Sequence, residues 1–281
     1  MHIDIHTHVF PDELAPKALH VLCSSTNNVY PLVSDGTVAG LLKNMNGWGI
    51  DISVVQPVVT KQSQLRSTNE WAASIQSDRL VSFGGIYPHT SDYKRDIDYV
   101  AGLGLKGLKF HAEYQDFVVD DRRMLMIYDY ALSKGLILLH HGGFDPGFNP
   151  PFKSTPQQFL HIIKEMQGGV IIVAHLGGHD QWDDVETYLA GSGIYLDTSM
   201  GFDYFPHDQF LRIVKKHGAD KILFGSDAPW SNAQTEIEQL RSMPLSEEEK
   251  NAILGENAKR ILMANNVGAD SISARHKTVW P

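Results

Sequence analysis

Short apolar runs rich in β-branched residues recur along the chain and alternate with longer amphipathic segments. Runs of this length and composition are typical of buried β-strands. They are Ile3–His6, Ile52–Val58, Leu80–Ile86, Gly107–His111, Leu136–His140, Val170–His175, Gly193–Asp197 and Ile222–Gly225. The pattern therefore predicts eight strands, with a helical segment between most neighbouring pairs.

The segments between the runs carry apolar residues at three- and four-residue spacing, as amphipathic helices do. Examples are "TVAGLLKNMNGWG", "SDYKRDIDYVAGLG", "DRRMLMIYDYALSKG", "STPQQFLHIIKEMQ" and "PHDQFLRIVKKHG". Several of them end at glycine, which is favoured just beyond a helix C-terminus. Ser246 and Glu249 have the spacing of a capping box, which predicts the start of the last helix.

Strands that alternate with helices indicate parallel pairing through crossover helices. Eight such units in 281 residues fit a (β/α)8 barrel, or TIM barrel, which typically takes about 250 residues. An open doubly wound sheet is the main alternative, but the glycine-rich phosphate loop of that fold is missing. No linker rich in Pro, Gly or Ser divides the chain. We therefore expect a single α/β domain over residues 1–281.

The composition limits the class of partner. The formal net charge is −9 and no basic run occurs, which disfavours a nucleic-acid-binding surface. A locally positive site can still bind an anionic small molecule on an acidic protein. Cys23 is the only cysteine, and no apolar stretch approaches the ~20 residues that cross a bilayer. With no signal-peptide pattern, we expect a cytoplasmic protein that acts on a small molecule without a membrane partner, as a monomer or a homo-oligomer.

Five ligand-type side chains fall at the ends of predicted strands. His6 and His8 are two residues apart on the first strand, so they project to the same face. His140 and His175 end the fifth and sixth strands, and Asp227 follows the eighth. The carboxyl ends of barrel strands form the active-site face, so these side chains should converge. Imidazole and carboxylate ligands predict a catalytic divalent metal, with zinc first and manganese or iron as alternatives.

A single histidine at a strand end is more often a satisfied polar residue than a ligand, and only the convergence of several favours a metal site. Other histidines lack that placement and are expected to be structural or exposed: His2, His20, His141, His161 and His217. His89 and His179 lie on predicted rim loops, where substrate contact and ordinary packing are both open.

The ordered motifs "IDIHTHVFP", "LKGLKFH", "LLHHGG", "VAHLGG", "ILFGSDAPW" and "ENAKRIL" resemble the amidohydrolase superfamily. The branch they resemble is the amidohydrolase-related (amidohydrolase 2) one, which includes aminocarboxymuconate semialdehyde decarboxylase. The resemblance covers residues 3 to about 262. It implies a metal-dependent (β/α)8 barrel and a reaction among ester, lactone and amide hydrolysis, non-oxidative decarboxylation and hydration.

Residue roles follow from the same resemblance. His6, His8, His140 and Asp227 match the ligands of one metal, expected to be Zn2+. His175 matches a residue that binds a second metal in two-metal members and that hydrogen-bonds beside the metal-bound water in one-metal members.

The fourth predicted strand leaves alternatives open. Leu108 and Phe110 form its helix-facing side, so Lys109 and His111 should face the barrel interior. Lys109 is interpreted first as a group that binds a substrate carboxylate, with His111 beside it. The alternatives are a carbamylated Lys109 that bridges two metals together with His175, and a structural ion pair.

Aromatic side chains after the later strands suggest a partly apolar pocket for an unsaturated or aromatic acid, although ordinary loop packing explains them equally well. Phe144 and Trp230 are the predicted substrate contacts. Further members of the set are Phe148, Phe152, Phe202 and Tyr204.

The activity first expected is hydrolysis of a small ester, lactone or amide, in which Asp227 takes a proton from a metal-bound water and His175 orients it. The first alternative is metal-dependent, non-oxidative decarboxylation of an unsaturated or aromatic acid. The second is a metal phosphoesterase of the polymerase and histidinol phosphatase type, which also begins with "DIHTH". A barrel that binds a metal without catalysis is the non-enzymatic alternative.

Overall fold

The computed structural model describes residues 1–166 and 168–264. Its strands are β1 (Ile3–Thr7), β2 (Ile52–Val55), β3 (Leu80–Ser82), β4 (Gly107–Phe110), β5 (Ile137–His140), β6 (Ile171–Val173), β7 (Tyr195–Asp197) and β8 (Ile222–Leu223). Each lies within one of the eight predicted runs or extends it by one residue. All paired strands are parallel.

The strands close into a barrel. The order is β1-β2-β3 in one sheet and β4 through β8 in the other. The amide of Lys109 donates to the Gly84 carbonyl at 2.9 Å, which joins β4 to the end of β3. The amide of Ile5 donates to the Phe224 carbonyl at 2.9 Å, which joins β1 to the end of β8. The (β/α)8 prediction is therefore confirmed.

Helices surround the barrel between successive strands. They are α1 (Ala15–Ser25), α2 (Val38–Trp48), α3 (Leu65–Ser74), α4 (Tyr93–Gly102), α5 (Arg122–Ser133), α6 (Pro156–Glu165), α7 (Trp182–Asp184), α8 (His207–His217), α9 (Ala233–Ser242), α10 (Glu247–Asn251) and α11 (Asn257–Met263). π-helical segments follow α7 and α10, at Val185–Leu189 and Ala252–Glu256, and 3-10 turns lie at Gln62–Gln64, His175–Gly177 and Ala219–Lys221.

Helix α10 begins where the capping box predicts. The Ser246 hydroxyl accepts from the Glu249 amide at 3.2 Å, and the Ser246 amide donates to the Glu249 carboxylate at 2.8 Å. The polar tail beyond Asn266 lies outside the described residues. Among residues 1–166 and 168–264, no helix combines the length and the apolar character needed to cross a membrane.

Strand alternation divides the core into two layers. Leu108, Phe110 and Leu138 belong to the large apolar layer beneath the helices. Ile137 and Leu139, which alternate with Leu138, belong to a separate cluster that also contains Phe83, Ile172 and Leu223. This division decides which residue at each strand end faces the barrel mouth.

A buried acid outside the barrel mouth makes stability depend on pH. Glu236 on α9 is 2% exposed and accepts from the Ser231 hydroxyl at 2.7 Å and the Phe202 amide at 3.2 Å. Burial raises its pKa to about 7. The folded protein therefore holds this proton between about pH 4.5 and 7, where the unfolded chain has released it. The contribution of Glu236 to the free energy of unfolding is therefore fully present below about pH 4.5 and is lost as the pH rises to about 7.

We expect Glu236→Gln to remove this pH dependence, because the amide keeps the side-chain shape and does not ionise. At pH 8 the variant should exceed the wild type in unfolding free energy by about 1–3 kcal/mol, and at pH 4 the two should be equal. Urea unfolding at both pH values measures the difference. A constant difference between the variant and the wild type at all pH values would contradict the assignment.

Candidate metal centre

A cavity of about 470 Å3 opens at the carboxyl ends of the strands. His6 lies in β1 and His8 directly after it, while Lys109 lies in β4. His175 and Asp227 follow β6 and β8. All five line the cavity, as strand alternation and position predict.

Three ligand-type atoms converge in this cavity. The Nε2 atoms of His6 and His8 are 3.2 Å apart, and Asp227 Oδ1 is 3.5 Å from the first and 3.1 Å from the second. Because ligand atoms lie about 2.0–2.2 Å from a zinc-type ion, neighbouring ligands of one ion are about 3.0–3.5 Å apart. Asp227 Oδ1 is also buried, without a hydrogen-bond partner in the described part of the chain. This group fits one divalent ion.

Asp197 fixes the orientation of His6. Asp197 Oδ2 is 3.0 Å from His6 Nδ1, and both side chains are buried. Burial opposes ionisation of Asp197, but the adjacent His6 outweighs it and lowers the pKa of Asp197 to about 2. The ionised carboxylate accepts from Nδ1–H, which leaves the lone pair of His6 on Nε2, facing the ligand group. A carboxylate behind a ligating histidine is a frequent arrangement at metal sites, and no motif in the sequence predicts Asp197 in this role.

A backbone hydrogen bond and a left-handed backbone conformation fix the position of Asp227. Its amide donates to the His6 carbonyl at 2.8 Å, and its φ is +68°, in the left-handed region. Burial by itself would raise the pKa of Asp227, but the His6 and His8 rings outweigh it and hold that pKa well below its usual range. Burial lowers the pKa of His8 to about 4. The pair is therefore an ionised carboxylate and a neutral imidazole, as metal ligands require.

Lys109 faces the interior, as its position in the strand predicts. Its Nζ is 2.8 Å from His6 Nε2 and the side chain is 1% exposed. Burial lowers the pKa of Lys109 to about 8. The amine is thus the buried cation nearest to the ligand group among the described residues.

A hydrogen-bond chain determines which nitrogens of His175 and His141 are free. His175 Nδ1 is 3.1 Å from the Ser199 carbonyl and 3.0 Å from the Ser199 hydroxyl, which donates its own proton to Asp197. Both oxygens therefore accept, so Nδ1 carries the proton. Burial lowers the pKa of His175 to about 3, so its Nε2 is an acceptor. His141 Nδ1, 3.0 Å away, must donate to it. The remaining His141 Nε2 is then an unprotonated, buried nitrogen without a hydrogen-bond partner among the described residues.

His140, predicted as a metal ligand, does not lie with the ligand group, whereas His141, predicted as structural, lies in the cavity. The His140 ring stacks on Phe110 at 5.2 Å and contacts Tyr128 and Phe159 edge-on, within the layer beneath the helices. Phe110 and His140 are partners in the parallel register, so they face the same side. His141, one residue on, lines the cavity.

We expect His140→Leu to keep the metal and to raise the unfolding free energy. Both ring nitrogens of His140 are buried without hydrogen-bond partners in the described residues, and such a group costs about 1–3 kcal/mol. Leucine suits the apolar surroundings, so a gain of about 1 kcal/mol is predicted. Elemental analysis and urea unfolding measure both effects. The comparison variant His141→Leu should lose metal, and the reverse result would restore His140 as the ligand.

A second polar group lies in the same cavity. His111 Nε2 is 3.2 Å from Asp145 Oδ2, and the His111 ring stacks on that of His141 at 4.2 Å. Burial opposes ionisation of Asp145, but its contact with His111 outweighs burial, so its pKa lies below the usual value. His111 was predicted to face substrate, whereas Asp145 was missed because it lies on a loop outside the strand pattern.

Some of the aromatic residues predicted to form the pocket line the cavity, whereas Phe202 is buried in the core. Phe144 and Trp230 line the cavity, and Trp230 lies edge-on to His8 at 5.6 Å. Phe202, in contrast, is 2% exposed and packs on Phe205 in the core. His179 also lines the cavity, where its Nε2 is 2.9 Å from the Tyr30 hydroxyl. Tyr30 carries no motif that the sequence alone could have identified.

A protein-family model described as amidohydrolase matches residues 3–263. The chain belongs to the amidohydrolase family. The resemblance that the motifs carry is therefore confirmed, and the protein is an enzyme of a metal-dependent family that acts on small molecules. This membership favours the amidohydrolase interpretation over the phosphoesterase and non-enzymatic ones. No curated protein sequence matches the enzyme.

Solved structures share the fold at low sequence identity. An uncharacterized TIM-barrel protein from Bordetella bronchiseptica has a TM-score of 0.74 and 17% identity, covering 93% of this chain and 98% of its own. 5-Carboxyvanillate decarboxylase from Sphingomonas paucimobilis has a TM-score of 0.66 and 16% identity, with coverage of 93% and 98%. A dihydroxybenzoic acid decarboxylase from Polaromonas, with bound manganese and the inhibitor 2-nitroresorcinol, has a TM-score of 0.64 and 14% identity, covering 93% and 96%.

Proposed function

We propose that the enzyme is a metal-dependent, non-oxidative decarboxylase of an unsaturated or aromatic carboxylic acid. The observation that carries the proposal is the buried Lys109 amine, 2.8 Å from His6 Nε2, beside the ligand group. The ionised carboxylates of Asp227 and Asp197 act on this amine, but a bound divalent ion would leave this end of the cavity net positive, which suits a substrate carboxylate. The decarboxylases with the same fold support the choice, since their names describe aromatic acids.

The metal would be held by His6, His8 and Asp227, with His141 Nε2 as the candidate for a further ligand. One divalent ion, zinc or manganese, suits these mixed nitrogen and oxygen donors. When bound, it supplies Lewis-acid charge that stabilises negative charge on the substrate's oxygens.

Side chains of the enzyme would bind the substrate and supply the proton. Lys109 binds the carboxylate and orients the bond to be broken. The substrate carbon that carries the carboxylate first takes up one proton and becomes tetrahedral. The bond from that carbon to the carboxylate then breaks, its electron pair restores the ring or chain double bond, and CO2 leaves, so the reaction needs no oxidant.

We assign delivery of that proton to the pair of His111 and Asp145. Both line the cavity, and His111 Nε2 lies 3.2 Å from Asp145 Oδ2. Asp227, in contrast, is engaged with His6 and His8 as an ionised carboxylate. A histidine–carboxylate pair of this kind can act as a general acid.

Hydrolysis of an ester, lactone or amide is the second candidate. It is favoured by Asp227 Oδ1, a buried oxygen without a hydrogen-bond partner in the described residues, because such an oxygen can accept a proton from water. In this reaction Asp227 and His175 would be the catalytic residues, and Lys109 would bind a carboxylate elsewhere on the substrate.

The two candidates differ in their products. The manganese- or zinc-loaded enzyme should release CO2 from a member of a panel of hydroxybenzoates and conjugated unsaturated acids. In D2O the product should carry one deuterium at the carbon that lost the carboxylate. Cleavage of carboxylated esters or lactones, with no CO2 from any acid of the panel, would contradict decarboxylation and establish the second candidate.

A further inference from the structure

The cavity extends well beyond the metal centre. A cavity of about 150 Å3 is enough for a benzene-sized ligand, and this one measures about 470 Å3. Its additional walls come from the loop after β1, from α1, from the loop after β2 and from α3. We call this part the apolar limb and define it by Leu14, Ala18, Leu22, Pro57, Val58 and Trp71.

Helix α1 and the residue before it carry two apolar faces. Ala15, Leu19 and Cys23 are buried against the body of the protein. Leu14, Ala18 and Leu22 repeat every four residues and form a second stripe, which faces the cavity. Leu14 is 56% exposed and Ala18 and Leu22 are half-buried, so the described protein covers this stripe only in part. A single amphipathic face would have sufficed to pack the helix.

Helix α3 supplies the facing wall in the same way. Leu65, Asn69 and Ala72 are its buried residues. Thr68 and Trp71, on another face, line the cavity. The defining residues of the limb carry no charge, whereas the metal end contains a lysine, carboxylates and histidines.

We propose that the substrate is an amphipathic acid, whose carboxylate lies at the metal end and whose apolar tail lies in the limb between α1 and α3. The inference rests on the proposed function, because that function places the carboxylate at Lys109. The limb and the metal centre are parts of one cavity. A single molecule can therefore place its carboxylate at the metal end and its apolar tail in the limb. Single-ring acids without a tail should therefore bind more weakly than acids with a tail, because they leave most of the limb unfilled.

The test uses binding, so that it does not depend on turnover. Benzoate and its para-propyl, para-pentyl and para-heptyl derivatives are titrated into manganese-loaded enzyme by calorimetry. Each buried methylene should tighten binding about three- to fourfold until the limb is filled. Equal binding along the series, or no binding by any member, would overturn the inference.

Variants on α1 show whether the tail occupies the limb. Ala18→Phe fills the limb with a phenyl ring, so affinity should no longer rise with chain length. Benzoate should bind as it does to the wild type, which also shows that the variant is folded. The matched control is Val21→Phe on the exposed side of the same helix, which should keep the full gain. Retention of the gain in Ala18→Phe would place the tail elsewhere and overturn the inference.

The chain-length test can succeed or fail independently of the CO2-release test of the proposed function. If affinity rises with chain length and Ala18→Phe abolishes the rise, the amphipathic substrate is supported even when no CO2 is released, and only the reaction is then wrong. If CO2 is released from single-ring acids but chain length has no effect, decarboxylation holds and the inference fails.

Discussion

Replacing His8 with alanine should remove the metal and nearly all activity while the barrel stays folded. His8 Nε2 is one of three atoms within 3.5 Å of each other that form the ligand group. Mutating a residue that hydrogen-bonds to a metal ligand lowers metal affinity by about 10–100-fold, so loss of a ligand itself should lower it on the order of 10²-fold or more. The His8 side chain is only 16% exposed, but it lies at the open mouth, so its removal should not disturb the barrel. Elemental analysis and circular dichroism measure metal content and fold.

The matched control is His20→Ala on the exposed side of α1, which should keep both metal and activity. Full metal retention by the His8 variant would show that the three atoms do not bind the ion. Loss of the folded spectrum would instead make His8 a structural residue.

Lys109→Met should raise KM by about 10² and leave the metal content unchanged. Truncating one member of a buried charge pair typically costs 2–5 kcal/mol, and Lys109 is the cation assigned to the substrate carboxylate. Methionine has a similar length and suits a buried position. Steady-state kinetics across a range of acid concentrations, together with elemental analysis, measures both quantities.

Lys106→Met is the control, since Lys106 precedes the same strand but is exposed. It should behave as the wild type does. A drop from two metals to one in the Lys109 variant, with activity that depends on bicarbonate, would instead show a carbamylated lysine bridging two ions. Unchanged kinetics and metal content would return Lys109 to a structural role.

The barrel could be predicted because its pattern is local. Each strand is a short apolar run, and strand alternation placed Lys109 and His111 correctly in the interior. In the register of β4 and β5, His140 faces outward with Phe110, and His141 faces inward. The sequence alone does not show this, because the run before His140 is apolar at every position and marks no inner face.

Other parts of the site carry no local signal. Asp197 ends a strand, but its role depends on the approach of His6 from 191 residues away. The free nitrogen of His141 follows from a hydrogen-bond chain through His175 to the Ser199 carbonyl, and these three residues meet only in the folded protein. The apolar limb likewise depends on how α1 and α3 pack over the barrel mouth.

The central claim is a single catalytic metal between β1 and β8, and anomalous diffraction from crystals of the manganese-loaded enzyme tests it most directly. We predict one strong peak within bonding distance of His6 Nε2, His8 Nε2 and Asp227 Oδ1, with His141 Nε2 as the next nearest side-chain nitrogen and with Lys109 as a free amine beside it. A peak held by His111, His141 and Asp145 without His6 and His8, or no peak at the barrel mouth, would contradict the account.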